Sequence, residues 1–306
     1  MTVCIAGKCV YEDESGEYPA IVIAADRLFT WERPDSNAEH DAPTHKVFEF
    51  GPTIVALHAG DMNLCLALCQ SAAESLRNRT LFRVRDVALA VALATKELRA
   101  ERFENLTLQD HNVTLEQFQK RPREIDPELL KDLKKQYSFF DIDAAQIVAG
   151  VDDTGSHLYS VDGQGLWRYL DAESVHAIGQ GEEWARDTLS QVRYHHDWRL
   201  PRALFAVYAA KRHAEAAQSV GKITTSIVAI TRTGIWYSYE DIDDVLTSQH
   251  QRYRTSCDTA LDVAAHEVKA AAGELTEANR LWVMQQIRAG VRTVGQEPPA
   301  ASSDGL

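Results

Sequence analysis

Apolar positions recur along this chain in two rhythms. Near the start they run almost unbroken, as in Ala20-Ile21-Val22-Ile23-Ala24-Ala25, the pattern of a strand buried on both faces. Thr2–Val10, Pro19–Ala25, Lys46–Phe50 and Thr53–Ala59 read as a meander of four strands with no helix between them. Polar turn residues at Glu12-Asp13-Glu14-Ser15-Gly16 separate the first two strands. A polar segment with Pro34, Asp35, Asn37 and Pro43 reads as a long loop before the third. Gly51-Pro52 hinges the third against the fourth.

The spacing then becomes helical. Asp61–Asn78 carries Leu64, Leu68, Ala72 and Leu76 on one stripe, and Val84–Leu98 repeats the pattern with Val87, Val91 and Ala94. Residues 99–143 read as an insertion of helical character, with amphipathic pieces at Leu115–Gln119 and Pro127–Tyr137. Strands return at Ala144–Val151, His157–Val161, Leu166–Leu170 and Val175–Ile178, the first three joined by Asp- and Gly-rich hairpin turns. Helices over Glu182–Val192 and Pro201–Ala217 come next, then a last hairpin of Ile223–Thr231 and Ile235–Tyr239. Ile242–Val291 reads as helical, opened by the acidic run Glu240-Asp241-Ile242-Asp243-Asp244. The Pro- and Ser-containing tail reads as disordered.

This order divides the chain into a core over 1–240, interrupted at about 99–143, a helical extension over 241–292 and a tail over 293–306. Strands, paired helices, strands and paired helices suit an α+β fold: a four-layer αββα sandwich, with two antiparallel sheets between helical layers. No G-x-G-x-x-G or P-loop follows a strand, and the early strands lack crossover helices, so a parallel Rossmann fold is not expected.

Composition narrows the function classes. A net charge of −13 argues against a phosphate-binding surface, so no nucleic-acid partner is expected. No window approaches the ~18 consecutive apolar residues of a membrane span. The N-terminus lacks the regions of a signal peptide. The five cysteines are odd in number and scattered, which suits buried free thiols in a reducing cytoplasm. Cys65 and Cys69 lie four apart on a helix but have no partner pair at zinc-ligand spacing. His195-His196-Asp197 has the residue types of a metal or acid/base cluster. Adjacent helical side chains diverge, so it reads as an exposed helix end. No cofactor or metal is expected.

The chemistry centres on Thr2. Initiator methionine is removed when the next residue is small, which would expose a threonine with a hydroxyl and an α-amine on one residue. That amine titrates near ~8, close enough to neutrality to activate its own hydroxyl. Taken alone, Thr2 is an ordinary residue after a start codon. Lys46 alone is a solvated strand start, and Asp26 alone a strand end.

Taken together they form a pattern. Thr2 opens the first strand, Ala24-Ala25-Asp26-Arg27 ends the second, His45-Lys46-Val47-Phe48 opens the third and His58-Ala59-Gly60-Asp61 closes the fourth. This constellation resembles the proteasome β-subunit family, a branch of the N-terminal nucleophile (Ntn) hydrolases. Gln146-Ile147-Val148-Ala149-Gly150, Ile178-Gly179-Gln180-Gly181 and the last hairpin fit that family's second half, so the resemblance spans Thr2 to Tyr239. Among bacterial branches the chain is similar to the ancestral β-type (Anbu) and to the threonine peptidase of the two-component protease.

The resemblance implies a threonine-type amide hydrolase of αββα fold, acting on peptides through an acyl-enzyme. Thr2 would be the nucleophile. Lys46 would favour its activated hydroxyl, Asp26 would hold Lys46 charged, and the Gly60 N–H would stabilise the oxyanion. It also implies a homo-oligomeric ring or related assembly, with Asp61–Asn78 and Val84–Leu98 as assembly faces, and an ATPase as a possible partner. The chain departs from the family at Gln180, where a serine is usual, and in longer intervals at Tyr11–Tyr18 and Trp31–Thr44. Around the Thr2 amine, Ser219 is the hydroxyl candidate and Glu215 a weaker carboxylate candidate. A non-peptide amidohydrolase and a catalytically inactive assembly subunit stay open beside the peptidase.

Overall fold

Two antiparallel five-stranded sheets frame the chain. The computed structural model describes residues 3–26, 28–33, 36–41, 46–79, 83–216, 225–237 and 244–257, with the backbone alone over 28–33 and 36–41. Two units are present, Met1–Thr247 and Ser248–Leu306. The described residues of the second, 248–257, are helical. Both sheets belong to the first unit.

Strands β1 (Val3–Asp13) and β2 (Gly16–Asp26) form one long hairpin. A short hairpin, β3 (Leu28–Arg33) with β4 (Ser36–Asp41), follows. Next come β5 (Val47–Gly51) and β6 (Ile54–Gly60), then helices α1 (Met62–Leu76) and α2 (Val84–Phe103). Short helices α3 (Leu115–Lys120) and α4 (Pro127–Phe139) lead to β7 (Ala144–Asp152), β8 (Gly155–Val161), β9 (Trp167–Tyr169) and β10 (Val175–Gly179). Helices α5 (Glu182–Gln191) and α6 (Leu200–Ala214) and the hairpin β11 (Thr225–Thr231), β12 (Gly234–Tyr237) complete the unit. The sheet orders are β10-β1-β2-β11-β12 and β5-β6-β7-β8-β9.

Period-2 alternation explains the apolar runs. Cys4, Ala6, Ile21, Ile23 and Ala25 of the first sheet share one core with Val55, Leu57, Ile147 and Ala149 of the second. The intervening residues Val3, Ile5, Ala20, Val22 and Ala24 face Leu189, Ala203 and Val207 of α5 and α6. On the second sheet Ile54, Ala56 and Val148 meet Cys69, Val87 and Val91 of α1 and α2. Both faces of each sheet are therefore covered, and a polar residue on either face needs a partner.

Local chemistry sets the helix starts. Asp61 caps α1, its carboxylate accepting from Asn63 N and Leu64 N at 2.8 and 3.2 Å. Helix α2 continues to Phe103, past the expected end at Leu98. A π-type turn over Glu104–Leu108 then directs the chain into α3 and α4. That segment has its own core of Phe103, Leu108, Phe118 and Leu133. Arg99 stacks on Tyr137 and donates from Nε to Phe140 O at 2.7 Å.

Three sequence expectations are corrected. The early strands are not one meander: β1 and β2 lie in one sheet, and β5 and β6 in the other. The turn expected over Glu12–Gly16 is confined to Glu14-Ser15, because Tyr11↔Tyr18 and Glu12↔Glu17 continue the ladder to Asp13↔Gly16. The segment read as a long loop contains the β3–β4 hairpin, with Arg33 opposite Ser36. In each case backbone pairing is supplied by the partner strand, which an apolar-pattern reading does not see. Of the helix expected over Ile242–Val291, residues 244–257 are described and helical, and the rest lies outside the described residues. Among the described residues, no helix is long and apolar enough to cross a membrane.

Candidate active site

Four strand ends converge where the sequence places its chemistry. β1 begins at Val3, β2 ends at Asp26, Lys46 leads into β5, and β6 ends at Gly60. Thr2 and Ser219 lie outside the described residues, as does His45. Asp26, Lys46 and Gly60 can be placed.

The Asp26 side chain is completely buried and that of Lys46 is 6% exposed. Lys46 Nζ donates to Asp26 Oδ1 at 3.0 Å, and Val3 N donates to the same oxygen at 3.1 Å. Register explains the second bond. Cys4 stands opposite Ala25, so Val3 faces the last residue of β2, whose side chain accepts where a ladder carbonyl would. The Lys46 carbonyl in turn accepts from His58 N at 3.2 Å. The ion pair thus links the end of β2 to the lead-in of β5, one sheet to the other. Burial of such side chains is tolerated when they are paired and hydrogen-bonded, and both conditions are met here.

Gly60 has φ +105°. A Cβ there would lie 2.4 Å from Asp143 O and 2.7 Å from Asp143 Oδ1. Conformation and space both require glycine at this position. Its neighbour Asp61 donates from its backbone N to Asp143 O at 2.8 Å, fixing the strand-to-helix corner. Gly179, with φ +95°, stands opposite Val3 and carries the chain into Gln180 and α5.

Two nearby groups are chemically quiet. Burial pushes the Cys4 thiol far above its ordinary range, and its Sγ donates to His58 O at 3.2 Å. His58 is also buried, and among the described residues neither ring nitrogen has a hydrogen-bond partner. Burial and, secondarily, the Lys46 charge lower its pKa to about 4, so the ring is neutral at pH 7. Cys65 and Cys69 are buried free thiols, bonded to Ala59 O and Gln146 Oε1.

One residue was missed by sequence reasoning. Lys211 on α6 has a fully buried side chain and donates to Glu215 Oε1 at 2.6 Å. Burial lowers its pKa, opposed by the charges of Glu215 and then Asp26. The Asp26 carboxylate therefore feels two lysines, Lys46 and Lys211. Glu215, the weaker carboxylate candidate, is neutralised by Lys211 and by Arg212 at 2.9 Å. A legible signal was the Lys-x-x-x-Glu spacing embedded in an alanine-rich helix face.

His195, His196 and Asp197 do not end a helix. α5 stops at Gln191, and the three lie in the turn that leads to α6. No protein-family model matches the chain, and no curated protein sequence matches it.

Proposed function

We propose that the chain is a threonine-type amide hydrolase of the proteasome-like Ntn class, with the two sheets and their helices forming the αββα sandwich of that class. The observation that carries the reading is the shared Asp26 oxygen. It bonds Lys46 and the backbone N–H of Val3, the residue joined to Thr2. A buried, oriented lysine is thereby held at the strand end that Thr2 precedes.

In this reading Thr2 Oγ attacks the substrate carbonyl while its proton passes to the α-amine, with Ser219 as the nearby hydroxyl. Lys46 stabilises the negative charge developing on Oγ. The Gly60 N–H donates to the tetrahedral oxyanion, a contribution of about 3–4 kcal/mol in hydrolases that use such donors. The C–N bond then breaks, the departing amine takes the proton, and water hydrolyses the resulting ester. Peptides are the proposed substrates, and a homo-oligomeric ring that encloses the sites is the proposed working form, with an ATPase as a possible feeder of substrate.

The test has two parts. Intact mass of the purified protein establishes whether Thr2 is the first residue. An epoxyketone probe, which needs both hydroxyl and amine, is then expected to label Thr2 and to abolish peptide hydrolysis. A Thr2-initiated sample that takes no label, and whose hydrolysis survives Thr2→Ala, would mean an inactive assembly subunit. Turnover of small amides without peptides would point to the non-peptide amidohydrolase.

A further inference from the structure

We propose that the turn between α5 and α6 binds a divalent transition-metal ion of the zinc class through His195 Nδ1, His196 Nε2 and the Asp197 carboxylate. The site is independent of the hydrolase reading.

The donor atoms already converge. They all lie within 4.8 Å of one another. His195 Nδ1 is 3.2 Å from Asp197 Oδ2, and His196 Nε2 is 3.3 Å from Asp197 Oδ1. Zinc bonds of about 2.0–2.1 Å at tetrahedral angles put neighbouring donors about 3.4 Å apart. Each imidazole–carboxylate contact is close to that length, to a different oxygen of Asp197 in each case, and the remaining donor separations stay within 4.8 Å, so a small adjustment of the exposed side chains brings the three donors onto one ion.

Each contact sets an imidazole nitrogen against a carboxylate oxygen, a pairing that a ring N–H or a bound metal ion can bridge. His195 Nδ1 also accepts from the Asp197 backbone N–H at 3.3 Å, so its lone pair lies inside the turn, where a metal ion would replace that bond. Two imidazoles and one carboxylate suit zinc, nickel or copper better than calcium or magnesium, which prefer all-oxygen ligands.

The turn is held rigidly for this role. On one side of the cluster Tyr194 Oη donates to Lys8 O at 2.9 Å. On the other, Val10 N donates to Trp198 O at 2.9 Å, and Arg199 forms a bridge to Val10. Trp198 N closes the turn onto His195 O at 3.1 Å. The cluster is thus suspended between two attachments to β1. Ser174 Oγ lies 3.3 Å from His196 Nδ1 and so orients that ring with Nε2 toward Asp197. Ligating histidines are characteristically held this way through their second nitrogen. The three side chains are 52%, 53% and 71% exposed, leaving the remaining coordination positions to water.

The experiment titrates untagged full-length protein, first stripped with a chelator, with zinc chloride by calorimetry. Cobalt(II) absorption serves as a second readout. One ion per chain is expected at pH 7.5. His195→Ala, His196→Ala and Asp197→Asn should each abolish or greatly weaken binding, and Ser174→Ala should weaken it about tenfold. These ligand side chains are exposed, so the variants should fold; circular dichroism checks this. No stoichiometric zinc binding by the wild type would overturn the proposal. So would unchanged binding in the combined H195A/H196A/D197N variant, which would place the ion elsewhere.

Discussion

Lys46 reaches across from the second sheet to the buried carboxylate of Asp26 in the first, 3.0 Å away. The acceptor oxygen also takes the Val3 N–H. The contact fixes the relative position of two strand ends and the start of β1 with a single atom. It also places two ions where solvation is lost, so each is stabilised by the other.

The dependence is measurable. Lys46→Met takes the bonded cation from a buried carboxylate, and Asp26→Asn takes the bonded anion from a buried ammonium. Each is expected to destabilise by up to about 3–5 kcal/mol, with the Lys46→Met loss softened by Lys211 and the Val3 N–H. Asn keeps an oxygen for Val3 N–H, so the double variant should be more stable than Lys46→Met alone. Urea denaturation of the four proteins of the cycle gives the coupling energy. Additive losses would mean that the two charges do not interact.

Gly60 offers a cleaner backbone test. Its φ of +105° is combined with a Cβ position 2.4 Å from a carbonyl. Gly155 has φ +136°, but nothing nearer to its Cβ position than His157 Nε2 at 4.0 Å. Gly155→Ala should therefore cost only conformational strain, about 1 kcal/mol. Gly60→Ala adds a collision with backbone and should cost at least about 2–3 kcal/mol. Denaturation midpoints of the two variants decide the matter; equal losses would place the Gly60 cost in φ alone.

Legibility along the chain tracks burial. Ala20–Ala25 could be read as a strand because helices cover one face and the other sheet covers the opposite one. The ends of β1 and β2 could not, since Glu12 and Glu17 are polar and are ordered by strand pairing and by Arg199. Asp26, Lys46 and Gly60 were singled out by the family resemblance that their order along the strands carries, and the structure brings the first two into contact. Lys211 was passed over because helical lysines are usually solvated. Its burial depends on α6 lying against the first sheet, a tertiary fact. The His195–Asp197 cluster was misread for a related reason. Extending the helix to Val192 made the next residues a helix end, whereas a turn lets consecutive side chains converge.

His58 predicts a pH dependence. The folded ring stays neutral down to about pH 4. An unfolded histidine takes its proton near ~6.5. Between those values the unfolded state binds more protons, so stability falls as pH falls. Above ~6.5 the residue adds no slope, and below about 4 the loss is complete, about 3 kcal/mol. His58→Leu removes the titration and two ring nitrogens that have no hydrogen-bond partner among the described residues. Its stability at pH 7 should match or exceed that of the wild type by about 1 kcal/mol. Its decline between pH 6.5 and 4 should be shallower. Denaturant titrations at several pH values test both points, and an unchanged slope would remove His58 as the cause.

The last prediction concerns the attachment of the α5–α6 turn to β1. A Cβ on Gly7 would lie 2.5 Å from Tyr194 Oη and 2.9 Å from Tyr194 Cζ. Gly7→Ala must therefore displace the ring and break its bond to Lys8 O, at a cost of about 1–3 kcal/mol for overpacking. Tyr194→Phe alone forfeits one hydrogen bond, about 1 kcal/mol. In the double variant the nearest colliding atom is gone, although Cζ at 2.9 Å remains, and the bond to Lys8 O is lost once rather than twice, so the losses should fall short of additive by at least about 0.5 kcal/mol. If the turn also carries the zinc ligands, Gly7→Ala should weaken zinc binding without touching a ligand, because the displaced Tyr194 no longer pins the segment beside His195. Denaturation and zinc titration on the same variants separate the two effects. A destabilised Gly7→Ala protein that binds zinc as the wild type does would show that Trp198 and Arg199 hold the turn without Tyr194.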